Sequence, residues 1–276
     1  MGTALHYLSG STRTWLARRR RVAFRDFDIR KEGVWFARIS ESLLSTLFPT
    51  ACHECGALVE NLANGVACSS CWEKLTTLSP MTGCPRCSYP LDTAFDNRLW
   101  LNSCKKCKDL TFSYARAYAY YEGAIKASII YLKKNPVICN RLHQLICSLL
   151  ETDPILKGSD LIIPVPLHSE RLSERGFNQA EVIASILSRN STIAVDCQSL
   201  QRTISTVRHR AGMDRQDRFS SLRSAFEVTR PRLVAGRKIL LVDDLFTTGT
   251  TLSVCAERLF AAGAEQVCIL TLARVV

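Results

Sequence analysis

Four C-x-x-C pairs between residues 52 and 107 constrain this chain more than any other feature. They are Cys52/Cys55, Cys68/Cys71, Cys84/Cys87 and Cys104/Cys107, separated by gaps of 12, 12 and 16 residues. A two-residue gap lets both thiolates of a knuckle face one ion, and two knuckles complete a tetrahedron. Eight ligands make two closed four-cysteine sites, which are structural because neither keeps an open position. The ribbon-like spacing favours zinc, while thiolate ligation alone leaves an iron–sulfur cluster open. Sequential pairing of the knuckles and an interleaved pairing are both compatible with the spacing. The segment has too few large apolar residues for a core of its own, so metal supplies its folding free energy, on the order of 10 kcal/mol per site. Gly56 and Ser88, just past their knuckles, suit the turns that follow. His53 lies inside a knuckle that four cysteines already serve.

The cysteine total of 13 is odd, and the chain starts without an apolar export signal. A disulfide framework is therefore a poor reading, and the expected location is the cytoplasm. Cys139, Cys147, Cys197, Cys255 and Cys268 fall in apolar stretches and are expected to be small core residues. With 47% hydrophobic and 22% charged residues the chain is globular rather than disordered. No apolar run reaches about 18 residues, so a spanning helix is not expected.

The formal net charge of +11 is local. Residues 1–50 hold 9 Lys+Arg against 4 Asp+Glu, residues 51–110 balance at 6 against 6, and residues 202–238 hold 10 against 3. Such segments commonly meet phosphate groups, on a polynucleotide or a small ligand. A solvated arginine-rich surface is the alternative. Residues 1–37, with Arg18 to Arg21 in a row, read as a basic mobile tail or a nucleic-acid-binding arm. Leu43, Leu44, Leu47 and Phe48 form a short apolar helix ended by Pro49. It joins the cysteine-rich segment in a unit spanning 38–110.

Residues 111–276 read as a second domain. Tyr118 to Tyr121 is a strand, Ala124 to Lys134 and Cys139 to Leu150 are helices, and from residue 160 strands and helices alternate. Leu161 to Val165, Lys238 to Val242 and Val267 to Leu272 are strands, while Gln179 to Ser188 and Leu252 to Ala262 are helices. Continuous apolar runs such as Lys238 to Val242 are strands buried on both faces. The pattern predicts a parallel α/β sheet with its binding loops at the carboxyl ends of the strands.

Ile239 to Thr251 reads ILLVDDLFTTGTT. A buried strand ends in Asp243 and Asp244, then comes a Thr/Gly loop, then a helix. Thr247, Thr248, Gly249, Thr250 and Thr251 offer backbone N–H groups and hydroxyls at a helix N-terminus, where the dipole favours an anion. Gly249 is expected to let the backbone approach a phosphate closely. The two aspartates are placed to hold a ribose diol, or Mg²⁺ through one of them. The segment is neither a Walker loop nor a dinucleotide fingerprint. A capped, ordinary turn is the alternative, but adjacent acids after four buried residues are costly unless used.

This segment resembles the phosphoribosyl pyrophosphate signature of type I phosphoribosyltransferases. Residues 164–179, PVPLHSERLSERGFNQ, narrow the likeness to the ComF/GntX family of competence-type proteins. That family joins a cysteine-rich zinc module to a type I phosphoribosyltransferase-like parallel sheet with helices on both faces. The cysteine pairs, Tyr121-Glu122-Gly123, RGFNQ, Ala225-Phe226 and the VDDLFTTGTT loop occur in the family's order over roughly 40–276.

The resemblance implies that Asp243 and Asp244 hold the ribose hydroxyls and that Thr247 to Thr251 cradle the 5-phosphate. Pro166, Leu167, His168, Arg171 and Arg175 would face pyrophosphate and Mg²⁺. Arg218 would lie in a loop over the reaction. Around it, Arg210 replaces a family glutamine and Ser221 a family asparagine, with Met213 between. The implied chemistry displaces pyrophosphate at the anomeric carbon by a nitrogen nucleophile, with His168 or His209 as acid/base candidates. The implied alternatives are transfer to a nucleobase-like molecule and non-catalytic sensing of phosphoribosyl pyrophosphate. Also implied are single-stranded DNA as a partner and work in DNA uptake beside a helicase and a membrane channel.

Overall fold

The computed structural model describes residues 49–79, 81, 83–90, 104–204 and 223–276. The tail expected over 1–37, the apolar helix at 43–48, and the stretch holding His209, Arg210, Met213, Arg218 and Ser221 lie outside these residues.

Five parallel strands form the sheet, in the order β1-β7-β6-β2-β3: β1 (Tyr114–Tyr120), β2 (Leu161–Pro164), β3 (Ala194–Val195), β6 (Lys238–Phe246) and β7 (Gln266–Arg274). A separate antiparallel pair joins β4 (Leu200–Arg202) to β5 (Phe226–Val228). The side-chain period of two sorts the apolar runs onto two faces. Ile162, Leu240, Val242, Cys268 and Leu270 pack with α2 (Gly123–Leu132), α3 (Asn140–Thr152) and α6 (Gln179–Arg189). Leu161, Ile163, Ile239, Leu241, Val267 and Ile269 pack instead with α8 (Thr250–Ala261).

The cysteine-rich segment borrows these two cores. Cys52, Cys68, Cys71 and Trp72, the last two in α1 (Ser69–Glu73), join the α2/α3 face. Cys84, Cys87, Cys104 and Cys107 join the α8 face. The two ribbons thus lie on opposite faces of the sheet. The chain between them, with the Cys84/Cys87 knuckle, also covers the outer edge of β1: Leu78 N donates to Tyr118 O (2.9 Å), Tyr120 N to Thr76 O (3.1 Å) and Ala115 N to Arg86 O (2.7 Å). That leaves little open pairing surface on one side of the sheet, and the opposite edge, β3, is only two residues long.

Three sequence expectations shift. β6 runs past Val242 to Phe246, because β7 goes on pairing with it (Asp243 opposite Thr271, Phe246 opposite Arg274) after β2 has ended opposite Val242. β1 starts earlier than expected, at Tyr114, because it tolerates a buried arginine: Arg116 Nε lies 2.6 Å from Asp153 Oδ2. Of the five remaining cysteines, only Cys255 and Cys268 are core; Cys139 and Cys147 are half-buried, and Cys197 is exposed in the loop after β3.

Asp153 has a second task. Its Oδ1 accepts from Ile155 N (2.9 Å) and Leu156 N (3.2 Å), capping α4 (Pro154–Lys157). Asp153→Ala strands a buried guanidinium and uncaps a helix, so urea unfolding is expected to register a loss of about 3–5 kcal/mol. Asp153→Asn, which keeps the caps, is expected to lose less. Equal losses in the two variants would contradict this division of labour.

No helix among the described residues is long and apolar enough to cross a membrane.

Candidate functional site

The metal ribbons come first, because they frame the site. The Sγ atoms of Cys52, Cys55, Cys68 and Cys71 lie within 4.8 Å of one another, and so do those of Cys84, Cys87, Cys104 and Cys107. The pairing is therefore sequential. Sulfurs facing across knuckles are 3.8 Å (Cys52–Cys71), 3.6 Å (Cys55–Cys68), 3.8 Å (Cys84–Cys107) and 3.9 Å (Cys87–Cys104) apart. A tetrahedral ion with Zn–S near 2.3 Å requires about 3.8 Å between sulfurs. Both sets fit zinc, and both are closed. Gly56 (φ 77°) and Ser88 (φ 54°) take the left-handed turns expected of them. Their amides donate to Cys52 O (2.9 Å) and Cys84 O (2.7 Å), closing equivalent knuckles. His53 stays outside the tetrahedron, edge-on to Tyr131 at 6.2 Å.

After β2 the chain proceeds to β3, on one side; after β6 it proceeds to β7, on the other. The crevice between the carboxyl ends of β2 and β6 is thus the topological switch point, where open parallel sheets bind ligands. Asp243 and Asp244 stand at its rim, just past the last β2–β6 pair. As successive strand residues they point to opposite faces. Asp243 turns toward α8, where its charge adds to the burial that pushes the Cys255 thiol well up. Asp244 turns toward α2, where Lys133 Nζ lies 3.2 Å from its Oδ2. Burial, then the charge of Asp244, raise the Asp243 carboxyl well above the usual carboxylate range. Asp243 Oδ1 accepts from Asp244 N (2.8 Å), which fixes its side chain.

The β2 side of the crevice is built by Val165 to Gln179. Val165 N donates to Val242 O (2.9 Å), continuing the pairing one step. Pro166, Leu167 and His168 follow, half-buried. His168 Nδ1 accepts from Glu170 N (3.3 Å) and caps α5 (Ser169–Arg175). That nitrogen is committed to the backbone, so the ring acts as a cap here. Arg171 and Arg175, four apart on one side of α5, have no ion-pair partner among the described residues. Gly176 ends α5 in the left-handed region, at φ 77°. Asn178 is buried; its Oδ1 accepts from Ala180 N (3.0 Å), and its Nδ2 donates to Val165 O (3.0 Å). RGFNQ is thus the corner that pins the loop after β2.

On the β6 side, the turn Thr247 to Thr251 opens α8. Thr248 and Thr250 hydroxyls lie 2.9 Å apart. The amides of Thr251 and Leu252, in the first turn of this 12-residue helix, have no intrahelical acceptor. Gly249 departs from expectation. Its φ of 77° does favour glycine, but a Cβ there would lie 2.7 Å from Leu110 Cδ1 and 2.7 Å from Phe246 Cζ. The side that a side chain would occupy is filled by apolar packing, so glycine is needed to seat the turn on its support.

The structure therefore brings Asp243, Asp244, the Thr247–Thr251 turn and the Pro166–Arg175 segment to one end of the sheet, with Arg218 outside the described residues. Sequence reasoning missed Lys133 and Leu110. Each acts through a contact distant in sequence, and neither carries a local motif.

Fold and site together define a type I phosphoribosyltransferase-like α/β protein that carries two four-cysteine ribbons. Residues 43–108 match the family model described as double zinc ribbon domain, and residues 133–275 match the phosphoribosyl transferase domain. The chain belongs to the phosphoribosyl transferase domain family and joins this domain to a double zinc ribbon, the architecture expected from its resemblance to ComF/GntX proteins.

Among curated relatives, Competence protein F of Haemophilus influenzae is 35% identical over 123 residues, 43% of this chain and 52% of that protein. DNA utilization protein YhgH of Escherichia coli K12 is 34% identical over 119 residues, 43% of this chain and 51% of that protein. Competence protein ComFC of Bacillus subtilis is 34% identical over 118 residues, 41% of this chain and 44% of that protein. The chain spans about half the length of the curated relatives it matches. Among solved structures, the glutamine phosphoribosylpyrophosphate amidotransferase of B. subtilis superposes at TM-score 0.37 and 18% identity, over 52% of this chain and 30% of that one. A hypoxanthine phosphoribosyltransferase from Staphylococcus aureus superposes at 0.32 and 16%, over 53% and 72%.

Proposed function

We propose that this chain binds phosphoribosyl pyrophosphate with Mg²⁺ at the carboxyl ends of β2 and β6. The observation that carries the reading is the placement of two adjacent half-buried acids at the switch point, the first held well above the usual carboxylate range by burial and by its neighbour, just before a threonine-rich turn at a helix N-terminus. In this reading Asp243 and Asp244 hold the ribose hydroxyls, and the amides and hydroxyls of Thr247 to Thr251 take the 5-phosphate. Arg171 and Arg175, with Mg²⁺, face the pyrophosphate from the loop after β2, which Pro166, Leu167 and His168 shape. Arg218, outside the described residues, keeps only the role that the family resemblance implies for it. If transfer occurs, a nitrogen lone pair forms the bond to the anomeric carbon as the carbon–oxygen bond to pyrophosphate breaks. The leaving group carries away the electron pair, and the nucleophile's proton passes to water.

The second element of the proposal is single-stranded DNA. The names of the curated relatives, competence and DNA utilization proteins, support it, together with the net charge of +11. The corresponding role is in DNA uptake, on the cytoplasmic side, beside a helicase and a membrane channel.

Phosphoribosyl pyrophosphate with Mg²⁺ is expected to raise the melting temperature. Linkage gives about 2.7 kcal/mol at a hundredfold excess over Kd. Asp243→Asn combined with Asp244→Asn is expected to abolish the shift. A wild-type curve unmoved by the ligand removes both catalysis and sensing. Pyrophosphate release, assayed across candidate bases, separates a transferase from a protein that only senses the ligand.

A further inference from the structure

The two ribbons differ in charge. Around the first stand Glu54, Glu60 and Glu73, against Lys74. In the last knuckle of the second, Lys105, Lys106 and Lys108 are all exposed, with Asp109 as the one acid beside them. None of the three lysines has an ion-pair partner among the described residues. They ride on a turn held at both ends by the ligands Cys104 and Cys107. Cys107 N donates to Cys104 O (3.2 Å), Lys108 N to Cys104 O (3.0 Å) and Leu110 N to Cys107 O (3.1 Å). The backbone beneath the charges is therefore fixed before any partner arrives, which lowers the ordering cost of binding. Lys106 Nζ stands 5.0 Å from the centroid of the half-buried Tyr89 ring, which the Arg274 guanidinium also approaches at 5.1 Å, so the knuckle's cation is tied to the packed ring.

The patch also adjoins the phosphate turn. Only Asp109 separates Lys108 from Leu110, whose side chain lies against Gly249. Thr111 N donates to Ser253 Oγ (2.7 Å) in the first turn of α8. Cationic knuckle and anion-binding turn thus share a wall.

We infer that Lys105, Lys106 and Lys108 form a ledge for the sugar–phosphate backbone of single-stranded nucleic acid, beside the sugar-phosphate site. The inference rests on the nucleic-acid reading above and assigns that partner to the second ribbon. Ammonium groups on flexible stems recognise phosphates as point charges without reading bases. The ledge is accordingly a sequence-tolerant surface, with affinity that falls as salt rises.

The test uses the full chain, a fluorescently labelled mixed-sequence DNA 30-mer and anisotropy at several salt concentrations. Replacing Lys105, Lys106 and Lys108 together by Gln is expected to weaken binding at least about tenfold and to flatten the slope of log K against log salt by roughly 2. Zinc content and melting temperature are expected to stay unchanged, as is the shift caused by phosphoribosyl pyrophosphate with Mg²⁺. The same three positions changed to Arg keep the binding. Gln at Lys74, Lys126 and Lys157, exposed lysines elsewhere, removes equal charge and is expected to cost little. Equal losses in the two Gln triples, or wild-type binding by the ledge triple, overturns the assignment to this ribbon. A wild type that fails to bind overturns the nucleic-acid reading together with the ledge, and leaves the sugar-phosphate site to be judged by its own melting shift.

Discussion

Asp243→Asn is expected to melt above the wild type at neutral pH and to lose its response to phosphoribosyl pyrophosphate. Burial and the neighbouring Asp244 hold the Asp243 carboxyl well above its ordinary value of 3.8. From that value upward, the folded protein keeps a proton that the unfolded chain has released. Stability therefore falls as pH rises, until the folded-state value is passed. The slope across that window is at most about 1.4 kcal/mol per pH unit. Asparagine keeps an Oδ1 to accept from Asp244 N and has no titration, so its curve lacks this slope. The two melting profiles should coincide in acid, below about pH 4, and part progressively above it. Parallel profiles across the whole range would mean that the carboxyl carries no strain. In the proposed site, a group that weakens the fold is retained for what it binds, so the variant should be more stable and unresponsive at once.

The tension at Asp243 was legible in the sequence, since two acids after Ile239 to Val242 have no cheap place in a buried strand. The presence of two four-cysteine sites was legible for a related reason: thiolate spacing is a local geometric constraint. The pairing of knuckles was not, because 12-residue gaps permit either arrangement and only the packing on opposite faces of the sheet selects the sequential one. β6 looked shorter than it is, since polarity at Asp243 and Asp244 suggests an end, whereas its pairing with β7 carries it to Phe246. Gly249 was recognised as necessary, but not the steric demand for it, which comes from Leu110 and Phe246, residues that no pattern around the turn announces. Lys133 was invisible for a similar reason. A lysine at a helix end is ordinary until the sheet places an aspartate 3.2 Å away. Local chemistry was readable, and long-range support was not.

That long-range support gives the two metal sites unequal consequences. Cys107→Ser and Cys55→Ser each break one tetrahedron, and each is expected to lower the zinc content from two ions to one. A structural zinc contributes on the order of 10 kcal/mol, comparable with the whole stability of a domain, so both variants should melt far below the wild type. Their ligand responses should differ. Arg86 Nη1 donates to Cys107 O (2.7 Å), and Arg86 Nη2 reaches Phe112 O (2.7 Å), so one guanidinium ties the last knuckle to the segment under the turn. Phe112 meets Phe246 edge-on at 6.2 Å, and Leu110 fills the space beneath Gly249. From β7, Arg274 Nη1 donates to Cys87 O (2.7 Å), while its guanidinium lies 4.1 Å from the Phe246 ring centroid. Losing this ribbon removes the floor of the turn, so Cys107→Ser should give no melting shift with phosphoribosyl pyrophosphate and Mg²⁺, measured at a temperature where the protein remains folded. The first ribbon packs on the α2/α3 face. Cys55 is the one exposed cysteine of the eight, at the edge of that packing. Cys55→Ser should therefore keep a measurable shift despite its lower melting temperature. If Cys55→Ser abolishes the response and Cys107→Ser preserves it, the second ribbon is not the support of the threonine-rich turn, and the wall shared by ledge and turn loses its mechanical meaning.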